Sequence, residues 1–169
     1  MKLILIFILI PTLSLGEIFP TFNSLKYKEV NLRHYPELHD PNLKTIKFTL
    51  RKAGMPVKVL RDYNAGGPIV EWYQVELFNG ITGWIYHTQL SQKQKLLLKK
   101  DKNLYLFNSH IKKSFKTQVK AKIIAPKIIS LIKIKNNMAK VEVNHNGKAI
   151  KGWVLLDKSI WGLLEEDKN

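Results

Sequence analysis

Apolar and polar residues alternate along most of the chain in short stretches, and two of these stretches end in Asn-Gly. Trp72-Tyr73-Gln74-Val75-Glu76-Leu77-Phe78 runs into Asn79-Gly80-Ile81-Thr82-Gly83-Trp84-Ile85-Tyr86. Ala139-Lys140-Val141-Glu142-Val143 runs into Asn146-Gly147-Lys148-Ala149-Ile150-Lys151-Gly152-Trp153-Val154. A period of two, then Asn-Gly, then Gly-Trp-aliphatic predicts strand, tight turn, strand, so the same hairpin is written twice.

Further alternating or apolar segments predict strands at Val30-Asn31-Leu32-Arg33, Phe48-Thr49-Leu50, Val57 to Leu60, Lys102 to Leu106 and, opening a second unit, Leu96-Leu97-Leu98. Residues 17–24 show little periodicity and predict an extended lead-in. Ala53-Gly54-Met55-Pro56 predicts a turn, and the prolines and histidines from Tyr35 to Pro41 predict a long loop. Nothing in the chain has the period of an amphipathic helix. The prediction is an all-β protein of two small, partly open barrels.

The duplication extends beyond the hairpins. Setting Asn31 on Asn103 and Ala53 on Ala125 gives a separation of 72 in both cases, and two matches in one register argue for an internal repeat. Val57 to Val75 spans 18 residues against 12 from Ile129 to Val141, the surplus falling on Asn64-Ala65-Gly66-Gly67-Pro68. Val75 to Trp84 spans 9 against 12 from Val141 to Trp153, which predicts a longer second hairpin turn. The largely polar stretch from Leu90 to Lys95 forms the boundary, giving repeats at 23–91 and 96–164.

Composition adds compartment and charge. Met1-Lys2, a solid apolar run from Leu3 to Ile10, Pro11, and Ser14-Leu15-Gly16 have the form of a secretory signal peptide over 1–16. The apolar run is shorter than the roughly 20 residues of a membrane span. The expectation is an exported protein, periplasmic or extracellular, with no transmembrane segment after cleavage. The absence of cysteine excludes disulfides, thiolate metal sites and a cysteine nucleophile.

Of the 169 residues, 28 are Lys or Arg and 13 Asp or Glu, a formal charge of +15. Residues 17–91 hold 9 basic and 7 acidic side chains, residues 92–169 hold 18 and 6, so the excess lies in the second half. Two readings fit. The lysines attract a polyanion such as an acidic cell-wall polymer, an anionic lipid surface or nucleic acid, or they reflect base composition, since 25 of the 28 are Lys alongside 18 Ile and 12 Asn.

The ordered set Val30-Asn31-Leu32-Arg33, Arg51-Lys52-Ala53-Gly54-Met55-Pro56-Val57, Gly83-Trp84-Ile85 and Leu90-Ser91 resembles the bacterial SH3-domain family of exported proteins. It is most similar to the tandem form common in alphaproteobacteria, whose second repeat ends in Trp-Gly, as Trp161-Gly162 does here. The second repeat keeps Asn103-Leu104, Val141-Glu142-Val143 and Gly152-Trp153-Val154 but sets Tyr105 against Arg33. The resemblance covers about residues 23–164. It implies a five-to-six-stranded partly open barrel per repeat and a non-catalytic role in binding peptide, peptidoglycan or protein partners in the envelope. Nucleic acid is not the expected partner.

Candidate ligand contacts are Tyr35, Trp72, Tyr73, Trp84 and Tyr86, because aromatic faces recognise extended peptides. For Trp84 and Trp153 the competing reading is structural: each ring packs over its barrel while Gly83 or Gly152 before it permits a tight backbone. The dipeptides Gly83-Trp84 and Gly152-Trp153 thus mark the repeat.

His34, His39 and Asp40, with His87, lack a recognised metal-ligand spacing, so no metal or cofactor is expected. Glu71 and Glu76, five apart on one strand, would face opposite sides and make no cooperating carboxylate pair. No serine lies in a nucleophile elbow.

Overall fold

The computed structural model describes residues 19–37, 45–67, 69–99, 103–109, 119–125, 127–135 and 137–164. The expected signal peptide, His39 and Asp40 lie outside them.

The first repeat consists of β1 (Thr21–Leu25), β2 (Val30–Arg33), β3 (Ile46–Leu50), β4 (Pro56–Tyr63), β5 (Trp72–Glu76), β6 (Thr82–Tyr86) and β7 (Leu90–Ser91). The second consists of β8 (Lys95–Leu98), β9 (Asn103–Phe107), β10 (Val119–Ile124), β11 (Lys127–Lys135), β12 (Met138–His145), β13 (Lys148–Leu155) and β14 (Ile160–Trp161). Both form seven-stranded antiparallel sheets, ordered β3-β2-β6-β5-β4-β1-β7 and β10-β9-β13-β12-β11-β8-β14. Adding seven to each strand of the first order gives the second. The protein is therefore all-β and built from two copies of one topology. Among the described residues no helix is long and apolar enough to cross a membrane.

Each sheet curls around its own apolar filling, since one face of nearly every strand contributes to one cluster. Leu25, Val30, Leu32, Leu50, Val57, Val59, Val75, Ile85 and Leu90 meet in the first repeat. Leu96, Leu98, Leu104, Leu106, Ile123, Ile129, Val141, Val154 and Ile160 meet in the second. Among the described residues the end strands of each sheet do not pair with one another, so both barrels stay partly open. The stretch expected as a lead-in arm is instead the strand β1, paired to β4 and β7. Its apolar residues do not alternate simply, because Phe22 faces out of the barrel and Leu25 into it.

The register revises the alignment of the copies. Arg33 lies opposite Trp84, and Phe107 lies opposite Trp153. Leu32 pairs with Phe48 and Leu106 with Ala121, and Leu32 and Leu106 fill the same place beneath Gly83 and Gly152. Arg33 therefore corresponds to Phe107, and Tyr105 to Asn31; the match of Asn31 with Asn103 is a coincidence of residue type. The separation of 72 does hold later, where Pro56 pairs with Ser24 and Ile128 with Leu97 at equivalent points.

The hairpins also differ from expectation. The second turn is the tighter one: Asn146 and Gly147 both have positive φ, 52° and 78°, as a two-residue type I′ turn requires. The surplus residues lengthen β12 and β13 to eight each, against five each in β5 and β6. In the first hairpin Gly80 N–H donates to the Leu77 carbonyl at 2.9 Å and Gly80 has φ 81°, a three-residue turn with its glycine in the left-handed region.

Candidate functional site

Side chains directly opposite one another in a sheet share a face. Val75 and Ile85 belong to the first core, so their neighbours Trp72, Gln74, Trp84 and Tyr86 point away from it. The tryptophans are nevertheless only 3% and 8% exposed. They are covered from outside the barrel, by side chains that β2 and β4 deliver to the same face.

That delivery depends on a β-bulge. Val59 pairs with Val75, but the next partners are Arg61 with Gln74 and Tyr63 with Trp72, leaving Leu60 unpaired. The extra residue reverses the alternation, so Arg61 and Tyr63, which strict period two from Val57 would send inward, emerge on the outer face. One row then reads Tyr63-Trp72-Tyr86 and the next Arg61-Gln74-Trp84-Arg33.

The rows are knitted by ring contacts. Trp72 and Tyr86 meet edge-to-face with centroids 5.2 Å apart, Tyr63 and Trp84 at 5.9 Å, and Tyr86 and His87 at 4.8 Å. The Arg33 guanidinium lies 5.9 Å from the Trp72 ring and that of Arg61 5.3 Å from the Trp84 ring. Arg61 Nε donates to Gln74 Oε1 at 2.7 Å. Arg33 is buried and donates through Nη1 to the hydroxyl of buried Thr45. Tyr63 is left 42% exposed at the rim, with Arg61 beside it also exposed.

Of the five aromatic candidates, this surface unites Trp72, Trp84 and Tyr86. Tyr73 faces the other way, packed on the core and 6.3 Å from Phe19. Tyr35 is exposed in the bend after β2. Arg61 and Tyr63 were not legible as members of the group, because the bulge at Leu60 has no signature in the hydrophobic pattern; His87 joins it from the turn after β6.

Gly83 and Gly152 have a steric role. A Cβ on Gly83 would lie 2.6 Å from Leu32 Cγ and 2.8 Å from the Arg33 carbonyl oxygen, and one on Gly152 would enter the Leu106 side chain. Glycine lets β2 or β9 cross at this spacing, and the tryptophan that follows covers the crossing from outside.

The second repeat keeps the bulge and changes the surface. Leu131 pairs with Val141 and Lys133 with Lys140, leaving Ile132 unpaired. Lys133 lies 5.8 Å from the Trp153 ring, as Arg61 does over Trp84. The row equivalent to Tyr63-Trp72-Tyr86 is Lys135-Met138-Leu155, so its aromatics are gone.

Among the described residues no group of three His, Asp or Glu side chains could hold a metal. Glu71 lies just before β5, its carbonyl accepting the His87 N–H at 2.9 Å, and Glu76 pairs with Lys58 at 4.0 Å.

No sequence-family model and no curated protein sequence matches the chain. Its likeness is structural. NlpC1 from Trichomonas vaginalis aligns over 84% of this chain and 46% of its own length, at 14% identity and a TM-score of 0.33. NlpC2 from Trichomonas vaginalis aligns over 85% of this chain and 48% of its own, at 13% identity and 0.31. The chain thus spans less than half the length of either, and at these identities and scores no residue role passes from those proteins to this one.

Proposed function

We propose that the chain is an exported, non-catalytic SH3-like module of the bacterial type, which binds an extended peptide of the cell envelope, free or within peptidoglycan, on the outer face of its first repeat. The observation that carries this reading is the gathering of Tyr63, Trp72, Trp84, Tyr86, Arg33 and Arg61 on a face that the barrel core does not use. Rigid aromatics with few rotamers give contact area at low entropic cost, and the exposed rim of Tyr63 and Arg61 supplies ring faces and charged donors for a peptide backbone. The buried tryptophans beneath hold that rim in place.

The test is co-sedimentation of the mature protein with peptidoglycan sacculi, alongside Tyr63→Ala and Arg61→Ala variants shown to be folded. Reduced pelleting of both variants supports the reading. Unchanged pelleting of both, or no pelleting of the parent protein and no envelope protein captured by crosslinking, contradicts it.

A second reading concerns the second repeat. There Lys133, Lys135, Lys140 and Lys151 share the outer face, with Glu142 paired to Lys151 at 3.2 Å. This face would attach to anionic lipid or polymer, with binding that falls steeply as salt is raised. Salt-insensitive attachment contradicts it.

A further inference from the structure

The two repeats touch along outer rows of their sheets, and a cavity of about 470 Å³ opens where they meet. Phe22 and Lys58, opposite one another on β1 and β4, form the wall given by the first repeat. Trp161, Lys99, Lys158 and Leu163 are among the residues given by the second. Phe22 meets Trp161 edge-to-face at 5.3 Å, which explains how Phe22 is buried while facing out of its own barrel. Trp161 is positioned by Gly162, which has φ 118° and lies so close to the Lys95 carbonyl that no side chain fits there. The Trp-Gly that closes the second repeat is therefore part of the joint between repeats.

Three lysines line this cavity, and among the described residues no acidic side chain does. Lys58 is partly balanced by Glu76, 4.0 Å away. Lys99 Nζ lies 5.8 Å from the Trp161 ring, and its backbone N–H donates to the Ser159 carbonyl at 3.0 Å, which brings Lys99 to the turn that carries Lys158. Like charges around a concave, partly apolar site raise the local potential and favour an anion. The remaining wall is Phe22, Ile160, Trp161, Leu163 and Leu164, so the anion needs an apolar body. The volume is in the usual range for a small ligand. Inorganic phosphate has no apolar part to set against that wall, whereas an organic carboxylate has.

We propose that this cavity binds the C-terminal carboxylate of a short peptide with a small apolar last residue. The carboxylate would sit between Lys99 and Lys158, and the side chain against Phe22 and Trp161. The site is separate from the aromatic face of the first repeat, and neither reading rests on the other.

The test uses the mature chain in solution, titrated with N-acetyl-Ala-Ala, its C-terminal amide, and inorganic phosphate, while the indole N–H resonance of Trp161 is followed. The acid should shift that resonance saturably and the amide and phosphate should not. Lys99→Gln should weaken binding by roughly tenfold, the size of a lost charge-assisted contact, whereas Lys133→Gln, on the far outer face, should leave it unchanged. Lys158→Gln, at an exposed position, gives the same reading if Lys99→Gln fails to fold. Equal shifts with the amide, equal shifts with phosphate, no shift with the acid, or equal loss in Lys133→Gln would each overturn the proposal. Because the probe lacks aromatic side chains and the readout is Trp161, its failure leaves the sacculus experiment unaffected.

Discussion

The two repeats share a strand order, a bulge, a Gly-Trp crossing and a cation over each tryptophan, yet their outer faces carry different chemistry. Arg33, Gln74, Arg61 and Tyr63 in the first become Phe107, Lys140, Lys133 and Lys135 in the second. What is common serves the barrel, since Gly83 and Gly152 meet the same leucine of the neighbouring strand. What differs lies on surface the core does not need. The recurrence of the tryptophan at both crossings and the loss of the Tyr63-Trp72-Tyr86 row from one copy separate the shared architecture from the face proposed for binding more clearly than either repeat does alone.

That separation is broken most forcefully through the core. Leu32→Ala and Leu106→Ala should each cost about 3 kcal/mol of stability, measured by urea unfolding, because each empties a fully buried site. A loss below about 1 kcal/mol in either would show that the crossing is not equivalent in the two copies. Glycine replacements come next. Gly83→Ala and Gly152→Ala should cost about 2 kcal/mol each through overpacking. Leu106→Ala should relieve the second, where the three nearest atoms all belong to the Leu106 side chain. Leu32→Ala should relieve the first only in part, because the Arg33 carbonyl also stands there.

Arg33→Ala should cost about 1 kcal/mol, through the lost bond to Thr45 and the lost cover over Trp72. Phe107→Ala, at the equivalent place, should leave the surroundings of Trp153 changed but no polar group stranded. Smallest of all, Arg61→Ala and Lys133→Ala should cost about 0.5 kcal/mol each as exposed cation–π pairs. Of these two only Arg61→Ala should weaken attachment to sacculi.

The topology was legible because alternation and Asn-Gly turns are local signals, and a duplicated sequence prints them twice. The strands at 30–33 and 96–98 follow directly from pattern. The outer face was not legible, for two reasons. A single unpaired residue, Leu60, turns Arg61 and Tyr63 outward, and no residue type at Leu60 or Ile132 announces it. The alignment of the copies also followed matching letters, Asn31 with Asn103, where hydrogen-bond register follows Leu32 with Leu106. Trp72 and Trp84 show the same limit: alternation alone does not say that both are buried on the side of the sheet away from the core. Phe22 adds a third case, since its burial comes from the other repeat.

The central claim is that recognition belongs to the outer face of the first repeat and not to the shared crossing or to the lysines of the second. It is tested most directly by following backbone and side-chain resonances of the mature protein as soluble peptidoglycan fragments are added. Saturable shifts are expected at Arg61, Tyr63, Trp72 and Tyr86, with Lys133, Lys135 and Lys140 unmoved. Shifts confined to those lysines, or to neither face, would contradict it.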